Sequence, residues 1–323
     1  MEFHLEFSPI PFATKIDHSQ LLFLAGSCFT EQISQKLSAH KFRIIDNPNG
    51  ILFNPVSISK SVLSYIQNKQ YCEADLFYHN ELWGSWEHHT RFSSVSKDYC
   101  LQKINASQSA AHSFLKNADW VLLTLGSAFV YELENNQVVA NCHKVPTDKF
   151  KKRLLAIGEV TTVLDNLLLN LKAFNPKLNI IFTISPVRHL RDGFIANNWS
   201  KAILINSVHH VVDKYEHAFY FPSYELIIDD LRDYRFYAED MVHPNYAATN
   251  YVWEKFVTTC IDPSSQILMK EINTINAARH HKPFNPASQA HQKFLKINLA
   301  KIEKLKEQFP YLNFEEEILF FSS

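Results

Sequence analysis

The stretch that decides the fold is residues 21–37, which read LLFLAGSCFTEQISQKL. Its first five residues are an unbroken apolar run, typical of a strand buried on both faces of a parallel sheet. Gly26 and Ser27 end that run. Apolar residues then recur at four-residue spacing from Phe29 to Leu37, which predicts an amphipathic helix. Ser27 therefore lies between a strand and a helix, where its hydroxyl could stand at the carboxyl edge of the sheet.

A serine at such a junction has two interpretations. Serine is a favoured N-cap residue, so Ser27 could simply accept a hydrogen bond from the first turn of the helix. It could instead be a nucleophile or part of an anion site, because the first free N–H groups of the helix point into the same space. A second motif, near the other end of the chain, favours the nucleophile.

Composition excludes several classes of protein. The chain has 323 residues, of which 46% are apolar, so it can bury a large core in one elaborate domain or two. Its 32 basic and 33 acidic residues give a net charge of -1 without a basic stripe, which argues against nucleic-acid binding. We find neither a cationic and apolar leader nor an apolar run long enough to span a bilayer, and we therefore expect a soluble, cytoplasmic protein.

Strand and helix patterns alternate along most of the chain. The later strands are predicted near residues 42–46, 120–125, 180–184 and 218–221, a hairpin at residues 129–141, and helices near residues 54–66, 160–171, 200–215 and 251–257. Such alternation predicts an α/β fold, a three-layer α/β/α sandwich with a mostly parallel sheet. Ligands in these folds bind beyond the carboxyl ends of the strands.

Residues 70–103 break this alternation. They are rich in aromatic residues, including Trp83 and Trp86, and show no helical period. We interpret them as an inserted hairpin or long loop over the sheet edge, where an insertion would help to shape a binding surface. The two tryptophans would suit a sugar or an acyl chain, or they only pack.

The second motif is YAEDMVHPN at residues 237–245. Asp240 and His243 are three residues apart on a predicted loop, so the carboxylate could orient the imidazole and leave its other nitrogen free for proton transfer. The plain alternative is an aspartate that caps a turn beside a surface histidine. No metal site is predicted, because the adjacent histidine pairs elsewhere cannot present two nitrogens on one face. The five scattered cysteines form no C-x-x-C pair and are expected to be reduced.

Six short blocks occur in order around these motifs. They are Gly26 to Phe29, Asn47 to Pro55, Thr124 to Tyr131, Asn141 to Lys144, Ser185 to Arg188, and Asp240 to Asn245. Over roughly residues 20–260 they resemble the GSCFA-domain family, which is grouped with the SGNH or GDSL-like hydrolases; Thr30 stands where the signature has alanine. The resemblance implies a flavodoxin-like, SGNH hydrolase-like sandwich and an esterase-type mechanism. Ser27 would be the nucleophile, His243 the general base and then acid, and Asp240 the residue that orients His243.

The same resemblance implies an oxyanion hole. The Ser27 N–H would be one donor and the Gly50 N–H a second, unless Gly50 only serves a turn with positive φ. The superfamily's third donor is an asparagine, and Ala128 stands in its place. The replacements expected on loops at the same edge are Ser127, Asn54 and Asn141.

Two further residues are candidate substrate contacts. Arg188 has a two-pronged donor geometry that could hold an anionic part of the substrate, or it could form a structural ion pair. His143 follows a predicted hairpin. It could contact substrate, or it could tie the hairpin to the sheet together with Asn141.

We assign residues 1–262 to one hydrolase-like domain and residues 263–323 to a helical appendage packed on it. Apolar residues at helical spacing from Leu295 to Phe309 predict a helix in this tail. The apolar segment Ile318 to Phe321 could also bury itself against another subunit, which would make the protein a homo-oligomer.

Two functions remain at this stage. The first is a serine hydrolase or acyltransferase that acts on an ester, such as an O-acylated carbohydrate. The second is a non-catalytic small-molecule or glycan-binding protein on the same fold, which the missing asparagine supports. No cofactor is predicted, because the sequence has neither a glycine-rich phosphate loop nor a carboxylate cluster of ligand spacing.

Overall fold

The apolar run at residues 21–25 forms the first strand of the sheet that organises the chain. A computed structural model describes residues 4–322. The strands in chain order are β1 (Leu21–Gly26), β2 (Arg43–Asp46), β3 (Phe77–His79), β4 (Leu82–Gly84), β5 (Trp120–Leu125), β6 (Phe129–Glu132), β7 (Val138–Val139), β8 (Lys151–Leu154), β9 (Asn179–Ile184) and β10 (Ala218–Phe221). The helices are α1 (Cys28–Ala39), α2 (Pro55–Ile66), α3 (Lys97–Asn117), α4 (Ile157–Phe174), α5 (Gly193–Lys214), α6 (Ser223–Glu225), α7 (Tyr246–Cys260), α8 (Pro263–His280), α9 (Gln289–Gln308) and α10 (Glu315–Phe321).

The central sheet has five parallel strands in the order β10-β9-β5-β1-β2. This is the flavodoxin-like order, so the predicted fold is confirmed. Successive connections run in opposite directions from β1, which places the topological switch between β1 and β5. In register, Gly26 is opposite Thr124, so Ser27 and Gly126 follow the two strands at the same edge.

Helices cover both faces of this sheet. Helices α2 to α5 pack on one face through residues such as Val62 and Leu164, and α1 and α7 pack on the other through residues such as Phe29 and Phe256. The predicted apolar stripe of α1 is buried against the sheet. Each such side chain stabilises the fold by about 1.5–3 kcal/mol when fully buried.

The aromatic insertion is a hairpin, β3 paired with β4, joined to a small antiparallel sheet of order β7-β6-β8. Phe77 stacks on Trp86 with ring centroids 3.7 Å apart, and Phe150 meets the edge of the same indole. The predicted insertion ran to residue 103, but α3 already begins at Lys97. The few buried residues of α3 are spread among many polar ones, so the sequence shows no helical period there. Strand β8 was also not predicted.

The tail forms three helices, α8 to α10, around a cluster that includes Ile272, Ile302 and Phe321. It contacts the body where Asn276 donates to the backbone oxygen of Ala39 at 2.7 Å. Within the terminal segment Leu319 is exposed, and assembly through the tail stays a prediction. In the part of the chain that the structure describes, we find no helix of the length and apolar character that crossing a bilayer requires.

Candidate active site

Ser27 occupies the N-cap position of α1 but does not act as a cap. Its backbone is extended, at φ -72° and ψ 176°, and its side chain makes no capping hydrogen bond. The residue is fully buried, and no atom within residues 4–322 forms a hydrogen bond with Oγ. A buried polar atom without a partner is destabilising by about 1–3 kcal/mol, so such an atom calls for a functional explanation. Capping does not account for Ser27.

Gly26 fixes the turn that presents Ser27. Its φ is +145°, and a Cβ added there would overlap the backbone oxygen of Thr124 on the neighbouring strand. Only glycine permits both the backbone conformation and this close approach. The Gly26 N–H also donates to Oδ1 of Asn47 at 2.8 Å, which holds the loop after β2 against the end of β1.

The two backbone donors that the family resemblance implied are engaged elsewhere. The Ser27 N–H donates to the backbone oxygen of Thr124 at 3.1 Å, continuing the strand ladder. The Gly50 N–H donates to the backbone oxygen of Asn47 at 2.7 Å. Gly50 has a φ of +84°, and a Cβ there would overlap His89, so in this structure it serves the turn.

The three candidate replacements for the third donor differ in what their polar atoms contact. Ser127 donates its N–H to the backbone oxygen of Phe53 at 3.0 Å, and its hydroxyl accepts from the N–H of Phe129. Asn54 caps α2 by accepting from the Ser57 N–H at 2.8 Å. Asn141 accepts from the His143 N–H through Oδ1, and its Nδ2 makes no hydrogen bond within residues 4–322. Asn141 is thus the candidate whose amide donor is free.

Asp240 and His243 form the pair that their spacing predicts. Oδ2 of Asp240 and Nδ1 of His243 are 2.7 Å apart, and Oδ1 accepts from the N–H groups of Val242 and His243. The backbone and ring hydrogen bonds from His243, with that from Val242, lower the pKa of Asp240 to about 2. Both side chains are half exposed, and Nε2 of His243 makes no hydrogen bond within the described residues.

A cavity of about 420 Å³ lies at this edge of the sheet. Its walls include Phe53, Phe129, Tyr131, Asn141, Arg188 and Val242. Ser27 is not among the lining residues, although Ser127 and His189 are. Across residues 4–322, His, Cys, Asp and Glu side chains form no group of three that could hold a metal ion.

His189 lines this cavity and lies near Ser27, because both residues are close to Gly126. Among the described residues its Nε2 is buried without a hydrogen-bond partner. A Cβ added at Gly126 would lie 3.3 Å from this Nε2 and 3.3 Å from Cβ of Ser27. Its ring meets Phe53 edge-on at 5.6 Å. Burial, and then the charge of Lys201, lower the pKa of His189 to about 4, so the ring is neutral near pH 7. Sequence reasoning missed this residue, although it directly follows the block that ends at Arg188.

Arg188 does not form the ion pair that was one of its two predicted roles, as far as the described residues show, and its role toward a substrate stays a prediction. Its guanidinium lies over the rings of Tyr237 and Tyr234, at 4.1 and 4.9 Å from their centroids. The backbone N–H of Arg188 donates to the backbone oxygen of Val242 at 3.2 Å, which ties this loop to the Asp240 loop. Among the described residues no carboxylate forms an ion pair with Arg188, and Nη1 is buried without a partner.

The remaining candidates lie away from the cavity. Trp83 packs beside Tyr78, and Trp86 is stacked on Phe77. His143 and the backbone oxygen of Ser85 are 2.9 Å apart through Nε2, which ties the insertion to the turn after β7. None of the three candidates lines the cavity.

The solved structures that are similar to this chain have low sequence identity to it. A protein from Streptococcus pneumonia proposed to be a platelet activating factor is 13% identical, with 74% of this chain and 82% of that chain covered and a TM-score of 0.38. A carbohydrate esterase of family 3 from Talaromyces cellulolyticus is 9% identical, with coverages of 78% and 99% and a TM-score of 0.36. An acetyl xylan esterase from Butyrivibrio proteoclasticus is 10% identical, with coverages of 82% and 66% and a TM-score of 0.36.

Comparison with protein-family models assigns the chain to a family. No curated protein matches the chain. The model described as "GSCFA domain protein, C-terminal domain" matches residues 272–323, which hold the second half of α8 and all of α9 and α10. The model of the GSCFA family matches residues 21–256, from the first strand of the sheet through most of α7. The chain therefore belongs to the GSCFA family.

Proposed function

We propose that this protein is a serine hydrolase of the esterase type that takes an acyl group from an ester onto Ser27. The observation that carries the proposal is the buried Ser27 hydroxyl, which stands at a helix start without making a capping bond. A second, independent feature supports it. The Asp240 and His243 pair lies on a loop bonded to the cavity wall, with one imidazole nitrogen held and the other free.

The chemistry assigned to these residues balances in two steps. Oγ of Ser27 bonds to the acyl carbon while its proton passes to Nε2 of His243, and the ester C–O bond then breaks as that proton passes to the leaving alcohol. Water, or another hydroxyl, repeats the sequence on the acyl-serine and restores Ser27. Asp240 keeps the tautomer of His243 and stabilises the imidazolium.

Substrate entry in this proposal requires His189 to leave its place beside Gly126. The ring packs edge-on against Phe53. The backbone N–H of His189 donates to Oδ1 of Asn197 at 2.9 Å, which holds the backbone about which the ring would rotate. A side-chain rotation of His189 would join the 420 Å³ cavity to Ser27. Asn141 would then supply an oxyanion donor from the cavity wall.

The cavity suits a small ester with a polar part. Its walls are aromatic and aliphatic at Phe53, Phe129 and Tyr131, and polar at Asn141 and Arg188. Such a mixture of flat apolar surface and a few donors is typical of sites that orient small ligands. We propose an O-acylated carbohydrate as the substrate class. The guanidinium of Arg188, which forms no ion pair with a carboxylate of the described residues, would be available for an anionic substituent.

One observation favours a second function, a non-catalytic binding protein. The Ser27 and Gly50 N–H groups are both used within the backbone, and Ser27 is enclosed. A binding protein needs neither donor. In that case the cavity would hold a small molecule or glycan, and Ser27 would stay unmodified.

The experiment that separates these functions is labelling with a fluorophosphonate probe, followed by peptide mapping. The esterase proposal expects the probe on Ser27, and expects Ser27→Ala and His243→Ala to abolish labelling. Ser207→Ala is the matched control, since Ser207 is also a fully buried serine but lies on α5 and donates to the backbone oxygen of Ile157. Labelling that persists in Ser27→Ala, or a wild type that never reacts, would leave only the binding function. A panel of short-chain nitrophenyl esters and acetylated sugars would then narrow the substrate.

A further inference from the structure

Lys201 is a buried lysine that the proposed chemistry does not use. It lies on α5 and is 1% exposed. Its ammonium donates to the backbone oxygen of Gly126 at 2.6 Å and to that of Ser185 at 2.7 Å. These residues directly follow β5 and β9, so the ammonium joins the ends of two neighbouring strands at the edge where Ser27 lies.

The ammonium of Lys201 has no carboxylate partner in the part of the chain that the structure describes. Within residues 4–322, no aspartate or glutamate forms an ion pair with Lys201. Burying an ammonium without a carboxylate is destabilising by several kcal/mol, even when its hydrogens are bonded. A neutral donor such as glutamine could bond to a carbonyl here at a much smaller penalty. The hydrogen bonds alone therefore do not explain why this position carries a charge.

The position of the charge relates it to Ser27. The backbone oxygen of Gly126 accepts from Lys201, and a Cβ added at Gly126 would lie 3.3 Å from both Cβ of Ser27 and Nε2 of His189. The charge of Lys201 also acts on the pKa of Cys28, the residue after Ser27, and on that of His189.

The titratable groups that face the ammonium come from three elements. They are the Cys28 thiol on α1, the His189 imidazole before α5, and the Tyr224 ring on α6, at 5.8 Å. Burial raises the pKa of Cys28 and of Tyr224 and lowers that of His189, so all three are uncharged near pH 7. Lys201 is therefore the member of this group that carries a charge below neutral pH.

We infer that Lys201 is a positioning residue for the oxyanion, supplying positive potential at the Ser27 edge of the sheet where the family's superfamily uses an asparagine. The inference rests on the proposed esterase function. In a site that excludes water, a fixed charge near the reacting acyl group stabilises the developing negative oxygen far more than it would in solvent. The same charge holds the Gly126 and Ser185 carbonyls, which keeps the two strand ends in place.

A pH profile distinguishes this role from a purely structural one. Burial lowers the pKa of Lys201 to about 7, so the charge is present below neutral pH and is lost as the pH rises. The rate of Ser27 labelling by a fluorophosphonate at saturating concentration should therefore have an alkaline limb that belongs to Lys201.

The experiment measures that rate from pH 5 to pH 10 in wild type, Lys201→Gln and Lys201→Arg, with thermal unfolding of each. Lys201→Gln should lose about 10²–10³-fold in rate, with little change in half-saturating probe concentration, and should lose the alkaline limb. Lys201→Arg should keep more of the rate and move the limb upward, because arginine stays charged. Lys214→Gln, on the same helix but exposed and paired with Asp165, is the matched control and should behave as wild type.

Two results would overturn the inference while leaving the esterase function intact. One is a labelled wild type whose rate and alkaline limb are unchanged in Lys201→Gln. The second result matters if Lys201→Gln does not fold. If Lys201→Arg folds and keeps the alkaline limb of wild type, the limb belongs to another group. A wild type that the probe never labels at Ser27 would overturn the proposed function and this inference together.

Discussion

His189 Nε2 and Ser27 Oγ are both buried, and within residues 4–322 neither has a hydrogen-bond partner. A Cβ added at Gly126 would lie 3.3 Å from that Nε2 and 3.3 Å from Cβ of Ser27. Two buried polar groups without hydrogen-bond partners destabilise the fold unless a bound molecule displaces one of them or supplies a partner. In the esterase proposal a bound ester would do so, because its carbonyl carbon would contact Oγ of Ser27.

The first prediction concerns the stability of Ser27→Ala. Because Oγ is buried without a partner, its removal should leave the free energy of unfolding unchanged or raise it by about 1 kcal/mol. Ser223→Ala is the contrast, since that hydroxyl donates to the backbone oxygen of Ile184 at 2.8 Å; it should lose about 1–3 kcal/mol. Urea unfolding of both variants checks this. A clear destabilisation of Ser27→Ala would mean that the hydroxyl has a partner.

The second prediction concerns access. His189→Ala should open the passage to Ser27 and raise the rate of fluorophosphonate labelling by about tenfold or more, equivalent to removing about 1.4 kcal/mol of closure. His189→Phe keeps the bulk of the ring beside Phe53 and should stay near the wild-type rate. Equal rates in wild type and His189→Ala would show that His189 does not limit entry.

The third prediction concerns Asp240→Asn. The amide would favour the wrong imidazole tautomer of His243, so kcat/KM on an active ester should fall by about 10³–10⁴-fold. Asp240 has its pKa lowered to about 2 by hydrogen bonds from His243 and Val242, so its ionisation should not shape the wild-type profile above about pH 4. Asp233→Asn is the control. Asp233 is exposed and pairs with Arg235 at 3.0 Å, so its loss should not change the rate.

The fourth prediction compares two glycines. Gly26→Ala should destabilise the protein by several kcal/mol, because φ is +145° and the added Cβ would overlap the Thr124 backbone. Gly158→Ala lies in α4 with no atom within 4 Å of the added Cβ, and it should stabilise by about 0.5–1 kcal/mol. Thermal unfolding measures both. A mild effect at Gly26 would contradict the close approach of β1 and β5.

The fifth prediction concerns acid stability. Burial raises the pKa of Glu87, but hydrogen bonds from Lys60 and Tyr71 outweigh it and lower the pKa to about 2. Because the folded-state pKa is below the unfolded one, the stabilisation is complete above about pH 5 and is lost as the pH falls toward 2. Glu87→Gln should cost about 1–3 kcal/mol at pH 7 and flatten the fall in acid. Glu73→Gln, at an exposed ion pair with Lys97, should keep the wild-type acid profile.

Features set by neighbouring residues were predicted well from the sequence. Apolar runs predicted most strands of the central sheet, and the Asp240 to His243 contact joins residues only three apart. Asn54 was predicted as a candidate oxyanion donor, and its role as the cap of α2 was missed. The start of α5 was placed late, at residue 200, because Phe194, Ile195 and Trp199 are exposed and give no apolar face. For the same kind of reason, polar residues throughout α3 concealed that helix.

The sequence by itself determined the layered α/β fold, the turn at Gly26 and Ser27, and the local pairing of Asp240 with His243, since periodicity, backbone preference and short spacing act over a few residues. Only the tertiary structure decided that His189 and Ser27 both lie beside Gly126, that the Ser27 and Gly50 N–H groups are used in the backbone, and that Lys201 bonds to the ends of β5 and β9. Those contacts join residues far apart in the chain. They depend on how whole helices and strands pack, which no local pattern records.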